Sequence, residues 1–195
     1  MTGKIILVNG PSSSGKSTLC AGLQDALGEP FWHYSIDHLR HGDVLPRQRI
    51  ERGDFAWPDM REAFFEGFHR CLPALAGAGN NLVVEHIVET RTWMTRLIHL
   101  LEPFDVFFVG LNCPLPELES RELRRGDRRI GEAREDLTFV HTLVREFGTY
   151  DLEIEATRPL AESVDVVLHA WQRRSRSGAL ARMRAALPQT SQNAR

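Results

Sequence analysis

Short apolar runs alternate with longer amphipathic stretches along most of this chain. Lys4-Ile5-Ile6-Leu7-Val8-Asn9 is apolar throughout its interior, the pattern of a strand buried on both faces. Residues 17–27 follow, with Leu19, Leu23 and Leu27 on one helical face and Gly28 placed to close the helix. Phe31-Trp32-His33-Tyr34-Ser35-Ile36 is aromatic and β-branched, a second strand. Residues 38–58, punctuated by Gly42, Pro46, Gly53 and Pro58, read as irregular, a stretch long enough to cover an active edge. Over residues 58–76, Met60, Phe64, Phe68, Cys71, Leu72 and Leu75 recur at helical spacing, and Pro73 predicts a kink or an end near Leu72. After a turn at 77–81, Leu82-Val83-Val84 is a third buried strand, which Glu85 ends.

The second half continues the alternation. Residues 92–101 fit a helix with Trp93 and Leu97 inward. Asp105-Val106-Phe107-Phe108-Val109-Gly110-Leu111 is the fourth strand, and Pro116 opens a helix that runs into a basic segment at 121–129. Residues 136–146 are helical, with Leu137, Val140 and Val144 inward. Tyr150-Asp151-Leu152-Glu153-Ile154-Glu155 alternates apolar and acidic residues, as a half-exposed edge strand does. Residues 159–171 form the last core helix, through Leu160, Val164, Val167, Leu168 and Trp171. This order predicts an α/β fold, with helices on both faces of a mostly parallel sheet of about five strands. The domain spans 1–171, and 172–195 is a loose basic tail with room for a short helix over 180–187.

Composition narrows the class. A net charge of −2 gives no electrostatic case for nucleic acid as a partner. The 3 cysteines, Cys20, Cys71 and Cys113, form no C-x-x-C pair and fit reduced thiols in a cytoplasmic protein. The first strand begins too early to leave room for a signal peptide, and no apolar run approaches membrane-spanning length.

The chemistry begins between the first strand and the first helix. Gly10-Pro11-Ser12-Ser13-Ser14-Gly15-Lys16-Ser17 reads G-x-x-x-x-G-K-S, the phosphate-binding P-loop. Backbone N–H groups and the helix dipole would cradle phosphate, with Thr18 in the first turn of the helix. Lys16 would reach the terminal phosphates, and the Ser17 hydroxyl would sit on Mg²⁺. The fold class is therefore the three-layer P-loop NTPase/kinase fold. Asp37 follows the second strand on the same sheet edge, where a carboxylate meets Mg²⁺ or a second substrate, or caps the next helix. Glu85 stands at the end of an apolar strand, the Walker-B position, and serves metal or acceptor. Arg121, Arg125 and Arg128 belong to a basic segment, 121–134, that would act as a lid neutralising transition-state charge, with Gly126 and Gly131 as hinges. Phe64, Phe65 and Phe68 read as core, with some available to line an acceptor pocket. His33, His38 and His41 lie close in sequence without metal-ligand spacing.

These residues resemble the chloramphenicol phosphotransferase family of P-loop kinases. The likeness runs through Asn9 to Ser17, Ile36-Asp37, Val109-Gly110-Leu111-Asn112-Cys113, Arg121-Glu122 with Arg125-Gly126-Asp127-Arg128, Val140-His141, and residues 150–155. The resemblance implies ATP and Mg²⁺ as cofactors, Asp37 as catalytic base beside Lys16, Arg125 and Arg128, and a hydroxyl of a small molecule such as chloramphenicol as acceptor. Arg121 joins the nucleotide-binding set. Two departures stand out: Glu85-His86 occupies the place of paired aspartates, and 38–81, where an acceptor would bind, differs. A metabolic kinase of the shikimate or gluconate type, and a nucleotide-dependent binder without turnover, are the alternatives.

Overall fold

The structure, a computed structural model, describes residues 1–42, 44–125, 131–175 and 177–188, with Arg125 described in its backbone only. Among the described residues the strands are β1 (Lys4–Asn9), β2 (Phe31–Ser35), β3 (Asn81–His86), β4 (Asp105–Asn112) and β5 (Leu152–Glu155). They form one five-stranded sheet in the order β2-β3-β1-β4-β5. Every neighbouring pair is parallel. All carboxyl ends therefore share one edge, and the chain reverses its winding direction at central β1. In open α/β sheets that is where ligands bind.

Period-2 alternation divides two cores. Ile5, Leu7, Leu82, Val84, Val106 and Phe108 point to one face. Ile6, Val8, Val83, Phe107 and Val109 point to the other. The first face is covered by α4 (Trp57–Gly77), α5 (Arg91–Leu101) and α9 (Ala179–Ala186). The second is covered by α1 (Lys16–Ala26) and α8 (Leu160–Arg173). Such two-sided burial explains why the strands read as near-continuous apolar runs. No helix among the described residues is long and apolar enough to cross a membrane.

Several expectations change. The 38–58 stretch is not wholly irregular: α2 (Ile36–His41) follows β2 directly, and α3 (Arg47–Glu51) lies beyond it. α1 is closed by extended Leu27 rather than by Gly28. α4 runs through Pro73 to Gly77 without ending at Leu72. Proline there removes the bond to the His69 carbonyl, a cost of ~3 kcal/mol. Fully buried Leu72 and Ala76, on either side, offset it by packing on the sheet. β3 continues one residue past Glu85 to His86.

The tail is the largest correction. α9 is packed rather than loose, with Ala179, Leu180 and Met183 in the first core. Asp151 holds it there. One carboxylate oxygen accepts from Phe108 N of β4 at 2.9 Å. The other accepts from Ala179 N at 2.7 Å and Arg182 Nη2 at 3.2 Å. A side chain at Gly178 would meet the Val106 carbonyl at 2.5 Å, so this approach requires glycine.

Candidate active site

β1 delivers Asn9, fully buried, to the start of the P-loop. Its Nδ2 donates to the Tyr150 hydroxyl at 2.8 Å, and its Oδ1 accepts from Val88 N at 2.9 Å. The loop then turns through Ser13 at φ 60 and Gly15 at φ 95, left-handed positions that aim successive N–H groups inward. A Cβ at Gly10 would lie 2.7 Å from the Leu111 carbonyl oxygen. Three side chains fix the loop backbone. Asp136 Oδ2, from α7 (Glu132–Phe147), accepts from Ser12 N at 2.8 Å. Arg121 Nη1, from α6 (Leu115–Arg125), donates to Ser14 O at 2.9 Å. Lys16 Nζ donates to the carbonyls of Gly10 and Pro11 at 2.9 and 2.7 Å. The buried Ser13 and Ser14 hydroxyls have no hydrogen-bond partner among the described residues. Orphaned hydroxyls, a left-handed turn and a buried ammonium are a donor set suited to phosphate.

Beside the loop, the Ser17 hydroxyl donates to Glu85 Oε2 at 2.8 Å. His33 Nε2 lies 3.2 Å from the other carboxylate oxygen, Oε1. Burial pushes the Glu85 pKa up, but His33, Ser17 and the charge of Lys16 outweigh it and bring it down to about 2. Glu85 is therefore an ionised carboxylate touching the Ser17 hydroxyl in the first turn of α1. Two hard oxygens fit Mg²⁺, which binds through one or two protein ligands and keeps several waters.

One cavity of about 910 Å³ joins these groups to Asp37. Ser13 to Thr18, Glu85 and Arg121 line it, whereas Gly10, Pro11 and Ser12 of the expected nucleotide-binding set do not. Asp37 is not the cap of the following helix. Ser35 is, its hydroxyl accepting from Asp37 N at 3.1 Å. The Asp37 carboxylate is thereby left in the first turn of α2 on the cavity wall. Arg40, Trp57, Arg61, Phe65 and Glu89 complete that end. Arg128 and the side chain of Arg125 lie outside the described residues, as does Gly126.

Likeness to known proteins bears on the same site. The sequence profile of the chloramphenicol phosphotransferase-like family matches residues 3–172. The chain belongs to that family. A Mycobacterium tuberculosis protein provisionally named an O-phosphotransferase is 28% identical over 186 residues, covering 86% of this chain and 81% of the relative. The M. tuberculosis APS kinase, in complex with AMPPNP and APS, superposes with a TM-score of 0.62 at 20% identity, covering 88% of this chain and 98% of that one. A gluconokinase from Sinorhizobium meliloti gives 0.60 at 20% identity, covering 88% and 93%. At such identity the two structures speak for the fold, which is that of P-loop kinases. Family and fold together support a small-molecule kinase.

In this chloramphenicol phosphotransferase-like chain, the sequence pattern did not reveal every residue that shapes the site. His33 reaches Glu85 because register pairs Ser35 with Glu85 across β2 and β3. Asp136 and Tyr150 reach the P-loop region from residues 124 and 141 positions away. The family resemblance had marked Tyr150 by its motif, without a role. Its ring explains Gly110, where a Cβ would lie 2.8 Å from Tyr150.

Proposed function

We propose that this protein transfers the terminal phosphoryl group of ATP, with Mg²⁺, to a hydroxyl of a small molecule. The carrying observation is a single cavity that holds the P-loop, the Ser17–Glu85 pair and Asp37. Phosphoryl transfer needs positioning and charge neutralisation more than covalent chemistry. The loop N–H groups and Lys16 bind and orient the phosphates. Ser17 and Glu85 hold the metal, which when bound neutralises phosphate charge. Arg121 adds a second cation, tied to Ser14 O and to Ala156 O at 2.9 Å. Asp37, one element beyond Glu85 on the sheet edge, orients the acceptor hydroxyl and takes its proton. Trp57 and Phe65 supply an apolar wall for the body of the acceptor.

Chloramphenicol, the compound in the family's name, is the acceptor the resemblance implies and the first to try. The test is incubation with ATP and Mg²⁺ against a panel of hydroxylated antibiotics and metabolites, read as ADP release and as phosphate gained by mass spectrometry. A phosphorylated product excludes a binder without turnover, and its identity separates antibiotic from metabolite. Lys16→Ala should abolish transfer, since it removes a charged phosphate contact. Full activity in that variant would refute the nucleotide reading.

A further inference from the structure

Most cations lining the cavity already have an acceptor within the protein. Lys16 is bound to loop carbonyls, and Arg121 to Glu117, Ser14 O and Ala156 O. Arg124 Nη2 lies 3.7 Å from Glu117, and Arg61 Nη2 lies 2.5 Å from Glu89. Arg40 and Arg158 also line the cavity, and among the described residues no ion pair joins either to a carboxylate. They stand at opposite edges of the sheet, Arg158 after β5 and Arg40 after β2. Asp37 is at the β2 edge, so Arg40 falls on the acceptor side and Arg158 on the nucleotide side.

Arg61 shows what Arg40 lacks. The guanidinium of Arg61 lies 4.8 Å from the Phe65 ring and 5.0 Å from the Trp93 ring, and its edge meets Glu89. The guanidinium of Arg40 lies 5.1 Å from the Trp57 ring, and among the described residues its edge meets no carboxylate. A guanidinium resting its face on an aromatic ring presents an in-plane N–H fork that matches a carboxylate or phosphate. Arg40 is also three residues beyond Asp37 on α2, so the two side chains share one helix face.

We propose that the acceptor carries an oxyanion group, carboxylate or phosphate, beside its reactive hydroxyl, and that Arg40 binds it. This rests on the kinase reading above and narrows its substrate class to compact hydroxy acids and hydroxy phosphates. Arg40 then selects the acceptor by charge, Trp57 holds the guanidinium in plane, and Asp37 meets the hydroxyl one helical turn away. A neutral acceptor such as chloramphenicol would leave Arg40 facing water.

The test uses matched pairs with ATP and Mg²⁺: gluconate against gluconamide, shikimate against its methyl ester, and glycerol phosphate against glycerol, with chloramphenicol alongside. The carboxylate and phosphate arms separate the two sources of the oxyanion. The expected result is ADP release and phosphorylated product with one or more charged members and not with the neutral partners. For that acceptor, Arg40→Ala should raise KM about 10- to 100-fold, the loss a charge-assisted hydrogen bond carries, with KM for ATP changed far less. Arg40→Lys should restore part of the affinity. Arg40 is exposed, so matching thermal melts are expected. Turnover of neutral members as fast as charged ones, no turnover of any charged member, or an unchanged KM in Arg40→Ala overturns the inference. ATP binding by Lys16→Ala as tight as wild type counts instead against the kinase reading, so the two failures are distinguishable.

Discussion

Asp37 owes its place to its neighbour. Ser35 supplies the cap of α2, so the capping duty that the sequence also allows Asp37 falls to the residue two positions before it. A cap role predicts that asparagine substitutes almost without loss, because both residue types rank high there. A base role predicts the opposite, since asparagine keeps the size but cannot take a proton. Asp37→Asn should therefore lower kcat by on the order of 10²–10⁴. Nucleotide affinity, set by the loop and Lys16, should hardly move. Titration with labelled ATP beside single-turnover transfer checks both halves, and near wild-type transfer would reassign the base. At this scale Lys16, Ser17 and Glu85 were legible because their signals are local: a motif of eight residues, and an acidic residue closing an apolar run. His33 was not legible as a partner of Glu85. Its contact depends on which strands become neighbours, and no local spacing encodes that.

The elements that were misread are those whose stability comes from elsewhere in the chain. α9 has little apolar surface of its own, and its position depends on Asp151 and on the close approach of Gly178 to β4. α4 carries a proline that local rules treat as a stop, yet the sheet beneath it rewards continuation. α7 begins at Glu132, four residues before the expected start, because the Glu122 carboxylate of α6 caps it. Gly131, the N-cap, offers no side chain. In its place the buried Glu122 carboxylate accepts from Gly131 N at 2.7 Å and Ala133 N at 3.1 Å. In the sequence Glu122 stands in the basic segment beside Arg121, Arg124 and Arg125, and nothing in these neighbours marks it as buried. Glu122→Ala should cost ~1–3 kcal/mol, the penalty for buried donors left without an acceptor. Because α7 also carries Asp136 to Ser12 N, the same variant should weaken nucleotide binding. Urea unfolding and an ATP titration on one preparation test the coupling, and a destabilised variant with unchanged ATP affinity would show that the two ends of α7 act independently.

At the scale of the whole molecule, a parallel sheet buried on both faces was legible in the continuous apolar runs, and the shared carboxyl edge follows from the crossovers. Less legible was how much polar chemistry would be buried beside that edge. His69 and His86 meet at 2.8 Å between their Nε2 atoms, 0% and 2% exposed, among Phe65, Phe68 and Trp93. Burial pushes the His69 pKa down to about 4, with Glu66 opposing and Arg96 assisting. Burial pushes His86 well below the ordinary value too, helped by the charges of His69, Lys16 and Arg61. His141 is lowered as well, first by burial and then by Arg145. All three fold in the neutral form, while the unfolded chain takes up protons near the ordinary histidine value of about 6.5. Between that value and the folded ones the unfolded state binds more protons, so stability rises with pH across the window. It is complete above about 6.5 and is lost as pH falls through about 4 for His69. Among the carboxylates, Glu89 is raised by burial and adds a slope of opposite sign, its stability lost as pH rises through its folded value. Glu85, at about 2 in the folded protein, contributes stability that is lost only as pH falls from the ordinary carboxylate range toward that value. Urea midpoints measured from pH 7.5 down to pH 5 therefore read the histidines against the opposing slope of Glu89, and the expected net loss is on the order of 1–3 kcal/mol. Changing both members of the touching pair, His69→Phe with His86→Phe, avoids stranding one imidazole and should flatten most of that slope. His141 accounts for what remains. A double variant as acid-sensitive as wild type over this range would remove the pair as the cause.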